Sequence, residues 1–509
     1  MAKWFKHNWQ LIVVLIIATS LRFYKLASLP PGLHPDEAAN GLDIISMIEK
    51  GRFAAIYDTN GPREALFLYL QGIFVWLGNL LNITAINYTP LSLRIAPAII
   101  GVITVWAIYL LGKEMYNKNV GLFAATALAV SAWHIQFSRN GFRAIMAPLA
   151  LIFLFYFFIK AYREGKLKYY LATGITLALG CYTYLSFRMA PLVLFALLIF
   201  ILFKDKKFIS KYWKNISWMG VAFLIVMIPM FIHFYNVPED IAGRSSTSIF
   251  NQDLNGGNPA MTFINGVQKT ALMLNVHGDE NFRHNLGGWP MLDPIVGILF
   301  WVGVVLVIFK INKIENFLLL MWAGALSLPE LLTAEGIPHA LRIVGIIPVV
   351  FICVGIAVNW LIVKLKAEKY TTYIFIGLLA VSSVFGYYKY FMVFPTMVEA
   401  GEAYSEDMVS IANDINSASP NRNNILIVGE YGTKTVEFIT HSTQHKWKRF
   451  EPRDADQIVL AQSNNKIFVT KSWLYETQAK LKENGFNTYF QPVFSKIDRK
   501  TVLYYEYQN

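Results

Sequence analysis

The chain has 509 residues, of which 55% are hydrophobic and only 15% are charged. An apolar fraction this large excludes a single soluble core and indicates a helical protein that crosses a membrane many times. The formal net charge of +12 would suit nucleic acid, but lysine and arginine occur in short clusters between apolar runs, a pattern that sets membrane topology. We therefore expect a lipid bilayer and no nucleic acid as partner.

Eleven apolar runs approach or exceed the roughly 17 to 25 helical residues that a bilayer requires. No small-residue cleavage pattern follows the first run, so we expect an uncleaved span rather than a removed signal peptide. The predicted spans are Trp9–Tyr24, Leu91–Leu111, Val120–Phe137, Ala144–Ala161, Tyr169–Phe187, Met189–Phe203, Ser217–Tyr235, Met291–Phe309, Phe317–Leu332, Leu341–Val363 and Thr371–Phe394.

Basic clusters between these spans predict their orientation, because cytoplasmic loops are enriched in lysine and arginine. Placing every cluster and the N-terminus in the cytoplasm is consistent only if the apolar run Ala65–Leu81 does not cross, so we expect it to lie along or re-enter the outer face. The predicted protein is a multi-pass cell-membrane protein. Its outward segments are 27–90, 138–143, 236–290 and 333–340.

The composition becomes polar after Phe394, where the pattern predicts a helix over Thr396–Ile415 and a strand over Ile425–Val428. Mixed α/β patterning continues from there to residue 509. We therefore predict a transmembrane domain at 1–394, with outer loops 27–90 and 236–290, and a small extracytoplasmic soluble α/β domain at 395–509. The expected fold class is an α-helical polytopic membrane protein with this domain at its C-terminal end.

Two adjacent carboxylates, Asp36 and Glu37, follow the first span within the tetrapeptide His34-Pro35-Asp36-Glu37. Carboxylates this close to the acyl chains are costly unless something uses them, although acids after a proline can also simply begin a helix. A carboxylate can accept the proton of an incoming hydroxyl group. The position therefore predicts either a catalytic base or a helix start.

Arginines join these acids on the predicted outer face, and the planar guanidinium matches phosphate oxygens. Acids and arginines together predict the transfer of a group from a phospholipid-like carrier. The alternatives are an error in topology for three of the arginines and a capping role for His339. The further outward residues of this set are Arg63, Glu64, Ser138, Arg139, Arg143, Arg188, Glu239, Asp240, Arg244, His339 and Arg342.

Four residues of the loop before the eighth span have side chains that could bind a metal. Their spacing matches no tight ligand template, and a solvated loop is the simpler interpretation. The two cysteines, Cys181 and Cys353, lie in apolar stretches and indicate neither a disulfide nor a metal site. We predict no metal ligands in the chain. The four loop residues are His277, Asp279, Glu280 and His284.

In this order and on this topology, several short motifs resemble the GT-C class of membrane glycosyltransferases. The resemblance is to the protein O-mannosyltransferase and aminoarabinose transferase superfamily, which is glycosyltransferase family 39-like. It implies inverting transfer of a sugar from a polyprenyl (dolichyl or undecaprenyl) monophosphate to a protein, lipid or glycan acceptor on the extracytoplasmic side. The motifs, within roughly residues 21–342, are Asp36-Glu37, Asn60 to Leu70, Leu93-Arg94, Trp133 to Arg139, and His339 to Arg342 with Pro348.

The resemblance also implies a role for each matching residue. The first-loop acid of such families is the catalytic base, which corresponds to Asp36, with Glu37 as its neighbour or substitute. Arg342 is similar to the late-loop arginine that holds the lipid phosphate. Further predicted donor-phosphate residues are Arg63, Glu64, Arg139 and Arg143, and the candidates for substrate binding are His34, Arg94 and His339.

One departure from related enzymes bears on cofactors. The oligosaccharyltransferase catalytic subunit has acids just after its Ser-Arg pair that contribute to a metal site, whereas Asn140 to Arg143 contain none. Arginines alone can hold a monophosphate, while a pyrophosphate donor gains from a divalent ion. We therefore expect no required cofactor and do not favour a divalent metal.

Two other functions fit parts of the sequence. A transporter or flippase of a lipid-linked or anionic substrate would use the outward charges for binding, but such proteins place ionisable groups near the bilayer midplane and contain repeats. Here the charges cluster at loop ends, and no repeat relates the two halves. A noncatalytic receptor needs fewer spans and leaves Asp36 without a role. The identity of the sugar and the acceptor stays open.

Overall fold

The computed structural model describes residues 2–242, 247–443, 445–458 and 464–508. The chain forms two compact units, each assembled from three separate segments. The first, called the helical unit below, comprises Met1–Tyr24, Phe53–Leu70 and Ala96–Phe391. The second, called the mixed unit, comprises Lys25–Arg52, Gln71–Ile95 and Met392–Asn509.

Helices dominate the described residues, and strands lie in one short hairpin and one sheet. In chain order the helices are α1 (Ala2–Phe23), α2 (Pro35–Lys50), α3 (Leu66–Leu80), α4 (Pro90–Met115), α5 (Lys118–Val130), α6 (Ala132–Phe137), α7 (Met146–Glu164), α8 (Leu167–Cys181), α9 (Ala190–Lys204), α10 (Phe208–Asn236), α11 (Glu239–Ala242), α12 (Gln252–Asn255), α13 (Pro259–Asn275), α14 (Pro294–Phe309), α15 (Ile314–Leu331), α16 (Ile347–Lys364), α17 (Thr371–Tyr387), α18 (Val398–Ala403), α19 (Glu406–Ser417), α20 (Glu430–Thr440) and α21 (Leu474–Glu483). The strands are β1 (Ile56–Tyr57), β2 (Arg63–Glu64), β3 (Asn423–Ile427), β4 (Trp447–Arg449), β5 (Asn465–Thr470), β6 (Gln491–Phe494) and β7 (Val502–Gln508).

Six helical stretches in the described part of the chain are long and apolar enough to cross a membrane. This is the composition of a multi-pass membrane protein, while the count of eleven spans stays a prediction. The six are Pro90–Met115, Arg143–Glu164, Leu185–Lys204, Phe208–Asn236, Val344–Lys364 and Glu368–Thr396, and shorter apolar helices occupy Asn8–Phe23, Leu66–Leu80, Lys118–Val130 and Pro294–Phe309.

Two stretches that the sequence predicts as single helices are each two helices. Ser131 has an extended backbone, with φ of −63° and ψ of 122°, and separates α5 from α6. Ser405 adopts the left-handed conformation, with φ of 52°, and separates α18 from α19. The predictions of one helix over Val120–Phe137 and one over Thr396–Ile415 were therefore wrong. Ser131 leaves the helical conformation in the first stretch, and Met397 and Ser405 leave it in the second.

Helices of the helical unit approach one another closely at glycines, which have no side chain. A Cβ atom at Gly174 of α8 would lie 2.1 Å from the carbonyl oxygen of Met219 in α10. A Cβ atom at Gly303 of α14 would lie equally close to the carbonyl oxygen of Cys353 in α16. Small residues allow helix backbones to approach in this way, which is how helices pack in membranes without a hydrophobic driving force.

The sheet of the mixed unit has five strands in the order β4-β3-β5-β7-β6. Strand β3 runs parallel to β4 and β5, with Ile425 opposite Ile467, while β7 runs antiparallel to β5 and β6. Ile425, Ile427, Ile467 and Val469 are buried beneath α21 together with Leu481. The continuous apolar run of β3 reflects this burial.

Helix α2, which carries the predicted catalytic acids, packs against α20 of the C-terminal segment within the mixed unit. The Phe438 ring is fully buried there, and a Cβ atom at Gly41 would lie 2.4 Å from it. Tyr88 meets the same ring edge to face, with ring centroids 6.3 Å apart. The Thr435 hydroxyl donates to the Leu33 carbonyl over 3.0 Å. The residues after Met392 and the first loop therefore share one core.

Replacing Phe438 with alanine is expected to destabilise the mixed unit, because it leaves a cavity between α2 and α20. Such a change costs about 3 to 5 kcal/mol, which for a unit of this size lowers the unfolding midpoint by roughly 6 to 20 °C. Thermal unfolding in detergent, followed by intrinsic fluorescence, measures this shift. The control is Phe494→Ala, since Phe494 is 46% exposed in the same unit. Equal midpoints for both variants would contradict the described packing.

Candidate active site

The tetrapeptide at 34–37 forms the start of α2. His34 is the N-cap residue, has an extended backbone, and its Nδ1 accepts a hydrogen bond from the Asp36 N–H over 3.0 Å. Pro35 occupies the first helical turn, where its missing N–H costs nothing. Asp36 and Glu37 therefore both lie at the positive end of the helix dipole, which stabilises carboxylates.

The two neighbouring acids have different surroundings. The Asp36 side chain is 35% exposed, whereas the Glu37 side chain is completely buried. Adjacent helical residues point in different directions, so one acid can face solvent while the other faces the core of the mixed unit. Only Asp36 is accessible to a substrate in this arrangement.

Glu37 forms a buried ion pair with Arg94. The guanidinium donates from Nε to Glu37 Oε2 over 3.1 Å and from its terminal nitrogen to Oε1 over 3.3 Å. The same guanidinium donates to the carbonyl oxygens of Pro30, over 2.9 Å, and Gly32, over 2.8 Å. Arg94 therefore fixes both the first turn of α2 and the loop before it.

Asp36 receives a hydrogen bond from the C-terminal segment. The hydroxyl of Tyr431, at the start of α20, donates to Asp36 Oδ1. The Tyr431 ring also meets the His34 ring edge to face, with centroids 6.1 Å apart. Sequence reasoning missed Tyr431, because 395 residues separate it from Asp36 and no motif surrounds it.

In the helical unit, Glu64 is paired with two arginines. Glu64 Oε2 accepts from Arg143 Nε over 2.9 Å, and Glu64 Oε1 accepts from Arg188 over 3.4 Å. Glu64 lies in β2, whose pairing with β1 holds it opposite Ile56. Arg143 and Arg188 keep 22% and 27% of their side chains exposed. The sequence predicted a donor-phosphate role for Arg143, and it placed Arg188 on the outer face without assigning it a specific role.

Arg63 and Arg139 are both buried. The Arg139 guanidinium donates to the carbonyl oxygens of Leu21, Arg22 and Tyr24 at the C-terminal end of α1, over 2.7 to 2.9 Å. Cations are favoured at that end of a helix, where carbonyl groups lack partners. These contacts favour a structural role for Arg139 rather than the predicted phosphate contact.

Arg342 belongs to a second buried polar cluster of the helical unit. Its NH1 donates to Glu330 Oε2 over 3.4 Å and to the Glu335 carbonyl over 2.7 Å. Glu330 also accepts the backbone N–H of His339 over 2.8 Å. Glu330 lies inside an apolar run, and sequence reasoning gave it no role. Its carboxylate sets the position of both predicted residues, Arg342 and His339.

Asp279, His284 and His339 complete this cluster. Asp279 Oδ2 lies 2.9 Å from His284 Nδ1 and accepts the Ala340 N–H over 2.8 Å. Burial lowers the pKa of His284, and burial, together with the neighbouring His284 ring and the charge of Arg342, lowers the pKa of His339 to about 3. Burial alone would raise the pKa of Asp279, but its contact with His284 holds the value below the usual range. Both imidazoles are therefore neutral at physiological pH.

The loop that carries Asp279 is only partly solvated. His277 and Glu280 form an exposed pair with a 2.7 Å contact, whereas Asp279 and His284 are buried. The interpretation of a wholly solvated loop was therefore wrong for these two residues.

The ten predicted site residues divide between the two units. Within the mixed unit the structure brings together His34, Asp36, Glu37 and Arg94. Within the helical unit it pairs Glu64 with Arg143 and places His339 beside Arg342, while Arg139 contacts the end of α1. The functional roles of all ten stay predictions.

Breaking the Glu37–Arg94 pair from one side is expected to destabilise the protein strongly. Arg94→Met leaves a buried carboxylate without its counter-charge, which costs about 3 to 5 kcal/mol. The double variant Glu37→Leu/Arg94→Met removes both charges and should recover at least half of that loss. Thermal unfolding midpoints measure both. Arg453→Met, at a side chain that is 74% exposed, is the control. A double variant no more stable than Arg94→Met would contradict this account.

Comparisons with known proteins agree with this architecture. Residues 73–233 match the family of dolichyl-phosphate-mannose-protein mannosyltransferases. No curated protein sequence matches the chain. The structure is similar to the crystal structure of ArnT from Cupriavidus metallidurans bound to undecaprenyl phosphate, with a TM-score of 0.59 and 12% identity over 98% of both chains.

Two oligosaccharyltransferase structures from Archaeoglobus fulgidus are also similar. The apo form matches with a TM-score of 0.55 and 14% identity over 96% of this chain and 74% of its own. AglB in complex with an inhibitory peptide and a dolichol-phosphate matches with a TM-score of 0.52 and 15% identity over 86% of this chain and 64% of its own. The resemblance predicted from the sequence is thus confirmed: the chain has the fold of the GT-C class of membrane glycosyltransferases.

Proposed function

We propose that this protein transfers a sugar from a polyprenyl monophosphate to an acceptor hydroxyl group on the extracytoplasmic side of the cell membrane, with inversion at the sugar carbon. The observation that carries the proposal is the accessible carboxylate of Asp36, held at the start of α2 in a chain with the GT-C fold. Similar structures hold undecaprenyl phosphate in ArnT and dolichol-phosphate with a peptide in AglB. These ligands support a lipid-phosphate donor.

Asp36 is the general base in this proposal. It accepts the proton of the acceptor hydroxyl, whose oxygen attacks the sugar carbon on the face opposite the departing phosphate. The bond from the Asp36 backbone N–H to His34 fixes the start of the helix, and the Tyr431 hydroxyl orients the carboxylate. A base held in this way needs little rearrangement to meet the substrate.

Glu37 acts as a positioning residue rather than as a second base. Its carboxylate has no exposed surface, and both of its oxygens contact Arg94. A buried, paired carboxylate cannot reach an acceptor unless the first turn of α2 unfolds. In this proposal Asp36 therefore accepts the proton, and Glu37 holds the first turn of α2 in place through Arg94.

The arginines of the helical unit that keep some exposure are the proposed donor-phosphate ligands. Arg143, Arg188 and Arg342 retain 22%, 27% and 21% of their side chains exposed, so donors stay available to phosphate oxygens. Each contacts a carboxylate, Glu64 or Glu330, which orients its guanidinium. Such fixed donors stabilise the charge that grows on the leaving phosphate.

The reaction needs no redox group, and three guanidinium groups can neutralise a monophosphate. We therefore assign no required cofactor to the transfer step. The proposed partners are the lipid-linked sugar, the bilayer that carries it, and a protein, lipid or glycan that provides the acceptor hydroxyl.

Asp36→Asn is expected to lower the transfer rate by about 100-fold or more, because an amide cannot accept the proton. The assay offers radiolabelled dolichyl- and undecaprenyl-phosphate sugars, with host membrane extract as acceptor, to protein in nanodiscs. The control is Asp454→Asn, at a side chain that is 40% exposed and far along the chain. Equal donor consumption by wild type and Asp36→Asn, with equal unfolding midpoints, would remove Asp36 from the mechanism and favour transport.

Tyr431→Phe is expected to lower kcat by roughly tenfold and leave KM for the donor unchanged. A hydrogen bond to a charged group contributes about 1.5 to 3 kcal/mol, and 1.36 kcal/mol is tenfold in rate. Initial rates over a range of donor concentrations separate the two constants. Tyr475→Phe, at a side chain that is 87% exposed, is the control. A loss confined to KM, or a lower unfolding midpoint with unchanged kcat, would contradict the positioning role.

A further inference from the structure

A cavity of about 270 Å³ lies in the helical unit, where the loop before α14 meets α17. Lys389 and Asp293 both line it, so one cationic and one anionic side chain face the same space. Neither the proposed base nor a proposed donor-phosphate arginine belongs to its described lining residues. The cavity is therefore separate from the candidate active site.

Lys389 is buried, although it belongs to a helical stretch that is apolar enough to cross a membrane. Its Nζ donates to the Asn285 side-chain oxygen over 2.6 Å and to the Pro290 carbonyl over 2.7 Å. Both acceptors are neutral, and within the described part of the chain no carboxylate pairs with this ammonium group. Because an ammonium group has three N–H donors, one is left for a ligand. A buried ionisable residue of this kind in a membrane protein indicates a functional site.

Asp293 is the N-cap residue of α14, and its Oδ1 accepts the Val296 N–H over 2.9 Å. Among the described residues, no basic side chain lies within ion-pair distance of its carboxylate. The Ser382 hydroxyl is buried beside this carboxylate but forms no hydrogen bond of ordinary geometry with a described residue. Groups of both charge signs, and a hydroxyl, therefore keep hydrogen-bonding capacity for a molecule in the cavity.

An apolar groove of about 380 Å³ continues from this cavity along α17. Ile295 lines the groove, and its neighbour Val296 lines the cavity. On α17, Val381 lines the groove and Ser382 the cavity. From Val381 to Ile374 the groove runs for roughly 10 Å along the helix axis. A polar cavity that continues into an apolar groove suits an amphiphile with a charged head and an apolar chain.

We propose that the cavity and the groove bind one phospholipid whose headgroup carries both a phosphate and a primary ammonium group, as phosphatidylethanolamine does. Lys389 donates to the phosphate, and the ammonium group of the lipid donates to the Asp293 carboxylate. One acyl chain of the lipid lies in the groove. A headgroup of a single sign would leave either Lys389 or Asp293 without a counter-charge, which is costly away from water.

The headgroup, rather than the chain, determines which lipid binds. Lipid chains are as apolar as the side chains of the groove, so moving a chain from the bilayer into the groove changes the free energy little. A choline headgroup has no N–H to donate to Asp293, and a glycerol headgroup has no cation. The bound lipid would also hold Lys389 against Asn285 and Pro290, and thereby stabilise the loop before α14. This role is independent of the proposed transfer reaction.

The test measures lipid binding and not transfer. Full-length protein is delipidated in detergent, and native mass spectrometry counts the lipids that rebind. The probes are phosphatidylethanolamine, phosphatidylcholine and phosphatidylglycerol with identical acyl chains, and undecaprenyl phosphate. The variants are Lys389→Met and Asp293→Asn, of which the second retains a good N-cap residue. The control is Lys369→Met, at an exposed lysine between α16 and α17.

We expect wild type and Lys369→Met to bind about one phosphatidylethanolamine, with a Kd at least roughly tenfold lower than for the other three lipids, because charge-assisted hydrogen bonds are the strong ones. Lys389→Met should weaken this binding by about tenfold or more. Asp293→Asn should lose the preference over phosphatidylglycerol, since the ammonium group no longer meets a carboxylate.

Wild type that binds none of the lipids, or that does not prefer phosphatidylethanolamine to each of the other three, would overturn the proposal. Variants with the affinity and selectivity of wild type, and with unchanged unfolding midpoints, would overturn it as well. The preference of wild type decides the matter if both variants fail to fold.

Discussion

The buried ion pair between Glu37 and Arg94 is the interaction on which the mixed unit depends. Removing two charges from water is costly, and a well-packed apolar pair would often be as stable. What the pair adds is a defined position, because the guanidinium also holds the carbonyls of Pro30 and Gly32. The first turn of α2 and the loop before it are thereby fixed together. The partly exposed acid at the preceding position, Asp36, takes its orientation from this anchor.

The same arrangement of paired charges recurs in the helical unit. Glu64 contacts Arg143 and Arg188, and Glu330 contacts Arg342. Each carboxylate is nearly or fully buried, while its arginines remain about a fifth to a quarter exposed. The buried acid orients the guanidinium group, and the exposed part of that group keeps N–H donors available for a ligand. Such a pairing suits the donor-phosphate role that we propose for these arginines.

Sequence patterns predicted the parts of this structure that depend on composition and order. Long apolar runs indicated the helical membrane class, and short motifs in a fixed order indicated the GT-C fold. The pattern could not show where a helix is interrupted, because the apolar periodicity continues across Ser131 and Ser405, whose backbones are not helical. It also treated Asp279 as solvated, since burial of a loop residue depends on contacts with Ala340 that periodicity does not contain.

The contacts within the candidate site also could not be predicted from the sequence. Local sequence placed Asp36 and Glu37 at a helix start, which the structure bears out. Which of the two is exposed depends on Arg94, 57 residues away, and what contacts Asp36 depends on Tyr431. Both partners come from the three-dimensional arrangement of segments that lie far apart in the chain. A single sequence carries no signal for such contacts, so the helix start that carries Asp36 could be predicted, whereas the residues that contact Asp36 and Glu37 could not.

The shared core of α2 and α20 gives the C-terminal segment a structural role beside the candidate site. Phe438 fills the space left by Gly41, and Tyr431 contacts Asp36. Removing this segment would expose the apolar face of α2 and remove the Tyr431 contact from the Asp36 carboxylate. A truncated protein would therefore lose transfer activity even if the segment never touched an acceptor. Acceptor recognition has to be tested with substitutions on the exposed face of the sheet, where the core between α2 and α20 stays intact.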